Sequence, residues 1–117
     1  MDAVAVVLVA LVAALHLYFL VLEMFLWTKP MGRKVFGNDP EFAEATKVLA
    51  ANQGLYNGFL VAGLVWGLVS EQDDVQVFFL VCVIVAGVYG AATVSMRILL
   101  VQVVPALLAL GAVLLAR

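Results

Sequence analysis

Long apolar runs alternate along the chain with short polar breaks. Ala3–Leu22, Val48–Ser70, Val75–Met96 and Ile98–Ala116 contain no acid or base, and only His16 interrupts the first. Each run reaches about 20 residues, the length an apolar helix needs to cross a ~30 Å hydrocarbon layer. Lipid offers the backbone no hydrogen-bond partner, so each run is expected to be helical. The pattern therefore predicts an all-α fold: an integral membrane four-helix bundle forming a single transmembrane domain over 1–117, with helices over about 3–27, 40–69, 75–94 and 98–116.

The breaks refine this reading. Residues 29–39 (KPMGRKVFGND) hold Pro30, Gly32 and Gly37 and read as a loop. Asp39 is a good N-cap for a helix starting at Pro40, with Glu41 and Glu44 placed where the helix dipole favours anions. That helix, about 45 Å long by its rise per residue, exceeds the membrane by two to three turns. Residues 71–74 (EQDD) read as a tight acidic turn. The first run opens on Met1-Asp2 with no basic start and continues apolar past Glu23 to Trp27, which argues against a cleaved leader.

Composition sharpens the solvent. Hydrophobic residues make up 67% of the 117 and charged residues 12%, about half the share in soluble domains. Lipid must therefore be part of the surroundings. The net charge of −2 and the lack of a basic run give no reason to expect a nucleic-acid partner. Lys29, Arg33, Lys34, Lys47 and Arg97 fall on one side of the predicted spans and Arg117 on the other. The positive-inside rule then places the first and third loops in the cytoplasm and both termini outside, in a bacterial inner (plasma) membrane. The single cysteine, Cys82, reads as a buried structural thiol.

The polar residues within the spans carry the candidate chemistry. His16 and Glu23 lie two helical turns apart on one stripe, with Trp27 close to it. In the second long helix Asn52, Gln53, Tyr56 and Asn57 follow i, i+1, i+4, i+5 spacing. The third offers Tyr89 and Thr93, the fourth Gln102. Counted from the predicted cytoplasmic ends, Glu23 lies about 6 Å in, His16 about 16 Å, Asn57 about 10 Å, Tyr89 about 7 Å and Gln102 about 6 Å. The opposite halves are nearly pure hydrocarbon, Trp66 and Gln76 aside. This shared depth predicts a polar pocket opening toward the cytoplasm. Each residue also has a plainer reading: Glu23 snorkelling to headgroups or pairing with Lys29 or Arg97, His16 bonded to a carbonyl or tyrosine, the amides joining helices, and Trp27 anchoring at the interface.

Packing signals are commoner. Gly54 and Gly58, then Gly63 and Gly67, fit small-xxx-small spacing, and Gly87 and Gly90 mark the third helix as a close-packing one. Pro105 is expected to kink the last helix or free the Val101 carbonyl. No paired-cysteine site, phosphate-binding glycine loop or nucleophile elbow is present, and one His and one Glu seven apart do not make a zinc-binding helix. Neither a metal nor a cofactor is expected.

Residues 16–27 (HLYFLVLEMFLW), 52–60 (NQGLYNGFL), 86–93 (AGVYGAAT) and 101–110 (VQVVPALLAL) together resemble a family of small bacterial membrane proteins known as domain of unknown function 1304. The likeness runs nearly end to end. It implies a compact four-helix membrane protein and brings no activity. The family's motif residues fall on His16, Glu23, Trp27, Asn52, Gln53, Tyr56, Asn57, Tyr89, Gln102 and Pro105, none with an assigned role.

Three functions fit. The first is a small proton-coupled transporter with Glu23 as proton or cation site and His16 as relay. In size and in its first-helix glutamate the chain is similar to the small multidrug resistance transporters, without their motifs. The second is a membrane enzyme or binder for a lipid-like molecule, with His16 and Glu23 as acid and base; enzymatic activity is the less expected outcome. The third is an accessory subunit whose polar groups fix helix register. The expected partners are the lipid bilayer, further copies of the chain, and a small molecule or proton.

Overall fold

The computed structural model describes residues 2–117. It is all-α: α1 spans Ala3–Met24, α2 Pro30–Phe36, α3 Pro40–Val69, α4 Asp73–Thr93 and α5 Val104–Ala116, the last preceded by a π-helical turn at Leu99–Val103. Four helical stretches are long and apolar enough to cross a membrane: α1, α3, α4 and Leu99–Ala116.

The helix ends follow from local chemistry. Asp2 opens α1, its Oδ1 accepting the Ala5 N–H at 3.0 Å. Asp39 caps α3 in the same way, accepting the Phe42 N–H at 2.8 Å, with Pro40 as first residue. α4 starts at Asp73, so Asp73 and Asp74 belong to its first turn, where their charges suit the dipole, rather than to the preceding turn.

Two expectations need correction near the first break. α1 stops at Met24, short of Trp27, although the residues between are apolar; the chain leaves the helix with the Leu26 N–H bonded to the Val21 carbonyl at 3.2 Å. The segment expected as a loop contains α2. Pro30 suits its first turn, and Gly37 ends it in the left-handed conformation (φ 69°). Gly32 is buried against the chain it follows, since a Cβ there would fall on the Leu26 carbonyl oxygen.

By packing, the chain divides into two compact units: residues through 15 with 60–117, and residues 16–59. In the first, Ala5, Val9, Val12 and Ala13 of α1, Leu64 of α3, Leu80 and Val83 of α4, and Ala106, Ala109 and Val113 of α5 form a dry core. Small residues let its backbones approach. A Cβ on Gly63 would strike the Phe79 ring, and one on Gly87 would strike Val103. With lipid as apolar as leucine, this close contact rather than the hydrophobic effect holds the helices together. Cys82 is only half-buried at the edge of this unit, not enclosed as expected.

The same unit ends α3 in an unusual cap. The Gln72 N–H reaches the Gly67 carbonyl at 3.0 Å and the Glu71 N–H reaches Leu68 at 3.2 Å, the paired bonds of a Schellman motif. Its left-handed position is held by Glu71 (φ 54°), where glycine is favoured.

In the last span, proline removes a backbone donor and crowds the carbonyl four residues back. The helix widens just before Pro105, where the Val104 N–H bonds the Leu99 carbonyl, five residues away.

Candidate functional site

The unit of residues 16–59 is built on two seven-residue stripes. On α1, His16 and Glu23 share a stripe. On α3, Ala43, Ala50 and Asn57 share another, with Gly54 one turn beyond Ala50; all four are buried. Gly54 and Gly58 bring α3 onto the end of α1. A Cβ on Gly54 would meet Met24 Cγ and, at 3.2 Å, Glu23 Cβ, and one on Gly58 would lie 3.0 Å from Leu20. That approach sets Asn57 beside Glu23, and the Asn57 amide donates to Glu23 Oε1 at 2.5 Å. Oε2 has no protein donor among the described residues.

Beside this pair lies an open groove of about 330 Å3. Met24, Phe25, Val48 and Ala51 form apolar walls, and Trp27 adds its indole. Glu23, Thr28 and Lys47 supply the polar edge. The Trp27 N–H donates to the Thr46 hydroxyl at 3.0 Å, and that hydroxyl donates to the Phe42 carbonyl at 2.7 Å. The indole also packs against Phe36 of α2, ring centres 5.0 Å apart. Trp27 is thus held by two segments, α2 through Phe36 and α3 through Thr46, and is more than an interface anchor. Lys47 turns along its own helix to Glu44 (Nζ–Oε1 2.5 Å), both side chains mostly exposed.

The expected site residues separate into three groups. Glu23 and Asn57 are brought together. His16 is buried (1% exposed), edge-on to Phe19 at 5.3 Å, and does not line the groove. Asn52, Gln53 and Tyr56 are exposed, so the polar face read on α3 is split, with only Asn57 turned inward. Tyr89 is 71% exposed and lines neither this groove nor the smaller cavity at Asp2, Asp73 and Gln76. Gln102 donates to the Val83 carbonyl at 3.0 Å, a bond within the other unit.

Other residues were missed. Thr46 and Ala51 are small and unremarkable, yet one fixes Trp27 and the other opens the groove. The signal was the spacing of the small residues: Ala43, Thr46, Ala50, Gly54 and Asn57 follow one inward stripe. Gln76, set aside as an exception, is 1% exposed and donates to the Gly67 carbonyl at 3.0 Å, while Gly67 has no room for a Cβ against it. Among the described residues, no group of three His, Cys, Asp or Glu side chains could hold a metal ion.

Four helices of spanning length point to a multi-pass membrane protein, and a carboxylate–amide pair sits at the end of the first. The chain belongs to the DUF1304 family, described as protein of unknown function, which it matches over residues 10–114. It is also similar to the uncharacterized protein YpaA of Lactococcus lactis subsp. lactis, 32% identical over 114 residues that cover 94% of this chain and 96% of that protein. No solved structure matches it.

Proposed function

We propose that the Glu23–Asn57 pair and its groove form the small-molecule site of a proton-coupled transporter in a bacterial inner membrane. The observation that carries this reading is the half-satisfied carboxylate: Asn57 holds Oε1, no described residue donates to Oε2, and the Glu23 side chain lines the groove. Intramembrane carboxylates usually face protein or a water-filled cavity and mark ion or substrate pathways. Here the carboxylate would carry either a proton or a ligand, releasing one as it takes the other. Asn57 positions it in both states. By the positive-inside rule, the groove and α2, with Arg33 and Lys34, lie on the cytoplasmic side and both termini outside.

The test is proton movement in proteoliposomes loaded with a pH-sensitive dye. Amines, carboxylates and neutral solutes are added outside in turn. At least one should shift the internal pH, and Glu23→Gln, which keeps the shape and can still accept from Asn57, should abolish the shift while helix content is unchanged. Silence across all three classes, or equal signals from both proteins, overturns the proposal.

A second reading rests on a different observation. Asn52, Gln53, Tyr56 and Tyr89 are exposed on helices of membrane length, and lipid cannot satisfy their polar atoms. A homo-oligomer or an accessory role in a larger assembly would cover them.

A further inference from the structure

We infer that the groove takes an amphipathic organic cation, an alkylamine or alkylammonium, seated from the lipid side with its charge at Glu23 and its tail along Met24, Phe25 and Val48. The inference rests on the reading of Glu23 as a ligand site and names the ligand class.

Charge complementarity selects the class. Of the two charged side chains at the groove, Lys47 is already matched by Glu44 on its own helix. Glu23 is matched by nothing charged: its partner is the neutral Asn57 amide, bonded to one oxygen only. The free oxygen therefore calls for a donor or a positive charge, and an anionic head would meet like charge there. The walls select the rest of the molecule. The Trp27 N–H is spent on Thr46, so the indole offers the groove only its carbon surface. Aromatic surface beside a carboxylate suits ammonium groups, which are drawn both to the carboxylate and to ring faces. The remaining walls have no polar side chain except Thr28, so a purely polar cation would lose its hydration there without replacement. The volume, about 330 Å3, sits at the small end of the ~300–1,000 Å3 range of small-molecule sites. The groove is also partly open, so a ligand can reach it from outside the protein.

The protein holds two tryptophans, so Trp66→Phe leaves Trp27 as sole reporter beside the groove. In lipid nanodiscs, bromoundecyl-trimethylammonium should quench Trp27 saturably, and bromoundecanol and bromoundecanoate, matched in tail, should quench only in proportion to their partitioning. Glu23→Gln should weaken the saturable component about tenfold or more. Ala51→Leu, which fills a wall without touching the carboxylate, should remove it, and Tyr89→Phe should leave it unchanged. Equal quenching by the three probes, or an unaltered response in both Glu23→Gln and Ala51→Leu, overturns the inference. Saturable cation binding without any pH shift in proteoliposomes would sink the transport reading and leave the site. A pH shift driven by a carboxylate or neutral solute, with no selective cation binding, would do the reverse.

Discussion

In the unit of residues through 15 with 60–117, the buried Gln76 and the half-buried Gln102 spend themselves on the backbone. Gln76 donates to the Gly67 carbonyl and Gln102 to the Val83 carbonyl, inside a core otherwise made of Ala, Val and Leu. In the unit of residues 16–59, polar side chains bond to one another: Asn57 to Glu23, and Trp27 to Thr46. The difference lies in the bonding capacity that is left over. A carboxamide on a carbonyl closes a gap in a helix pair and leaves little for a ligand. A carboxylate held by one oxygen is fixed in place and still has bonding capacity. The cavities agree, about 60 Å3 in the first unit and about 330 Å3 in the second.

The comparison can be broken most forcefully in the dry unit. Gly63→Leu drives a side chain into the Phe79 ring and should cost about 2–3 kcal/mol as overpacking, read as a lower midpoint in unfolding of the detergent-solubilised protein. Retention of wild-type stability would mean that this core is looser than its contacts indicate. A smaller effect of opposite sign is expected at the α3–α4 turn. Glu71→Gly relieves a left-handed glutamate and should stabilise by about 1 kcal/mol, in the same titration. The smallest effect belongs to the polar unit. Thr46→Val removes the bond from Trp27 and the hydroxyl's own bond to the Phe42 carbonyl, and at about 0.6 kcal/mol for an average side-chain bond in a membrane protein it costs little stability, yet it should free the indole, shifting and broadening Trp27 emission in a Trp66→Phe background. A large stability loss without a spectral change would erase the contrast between the units.

Much of the fold was legible because membrane spans announce themselves by length and by missing charge. The N-terminus of α3 was readable from Asp39 and Pro40, which act at a range of a few residues. The end of α1 was not. Phe25, Leu26 and Trp27 are as apolar as the helix before them, and the contacts that hold the turn, Gly32 on the Leu26 carbonyl and Trp27 on Thr46, lie six and nineteen residues apart in the chain. α2 carried its signals openly, Pro30 at the start and Gly37 just past the end, but the same residues also mark loops. Of the polar set, the structure brings Glu23 and Asn57 together, while Asn52, Gln53 and Tyr56 were grouped with Asn57 on helical spacing and depth, and Tyr89 on depth. Depth does not say which way a side chain faces. The spacing of Ala43, Ala50 and Gly54 does, because small residues allow the neighbouring helix to approach, and on α3 that buried stripe runs through Asn57.

The wide turn at Leu99–Val103 gives the last span an angular offset. One residue more than a regular spiral would use turns the chain by about 100° between its two ends. Adjacent side chains, Gln102 and Val103, can then both lie against the bare backbone of Gly87, and Ala106, Ala109 and Val113 still point into the core. Shortening this turn by a single residue would swing Arg97 and Ile98 to another side of the helix, which makes the irregularity a setting of direction as well as an accommodation of Pro105.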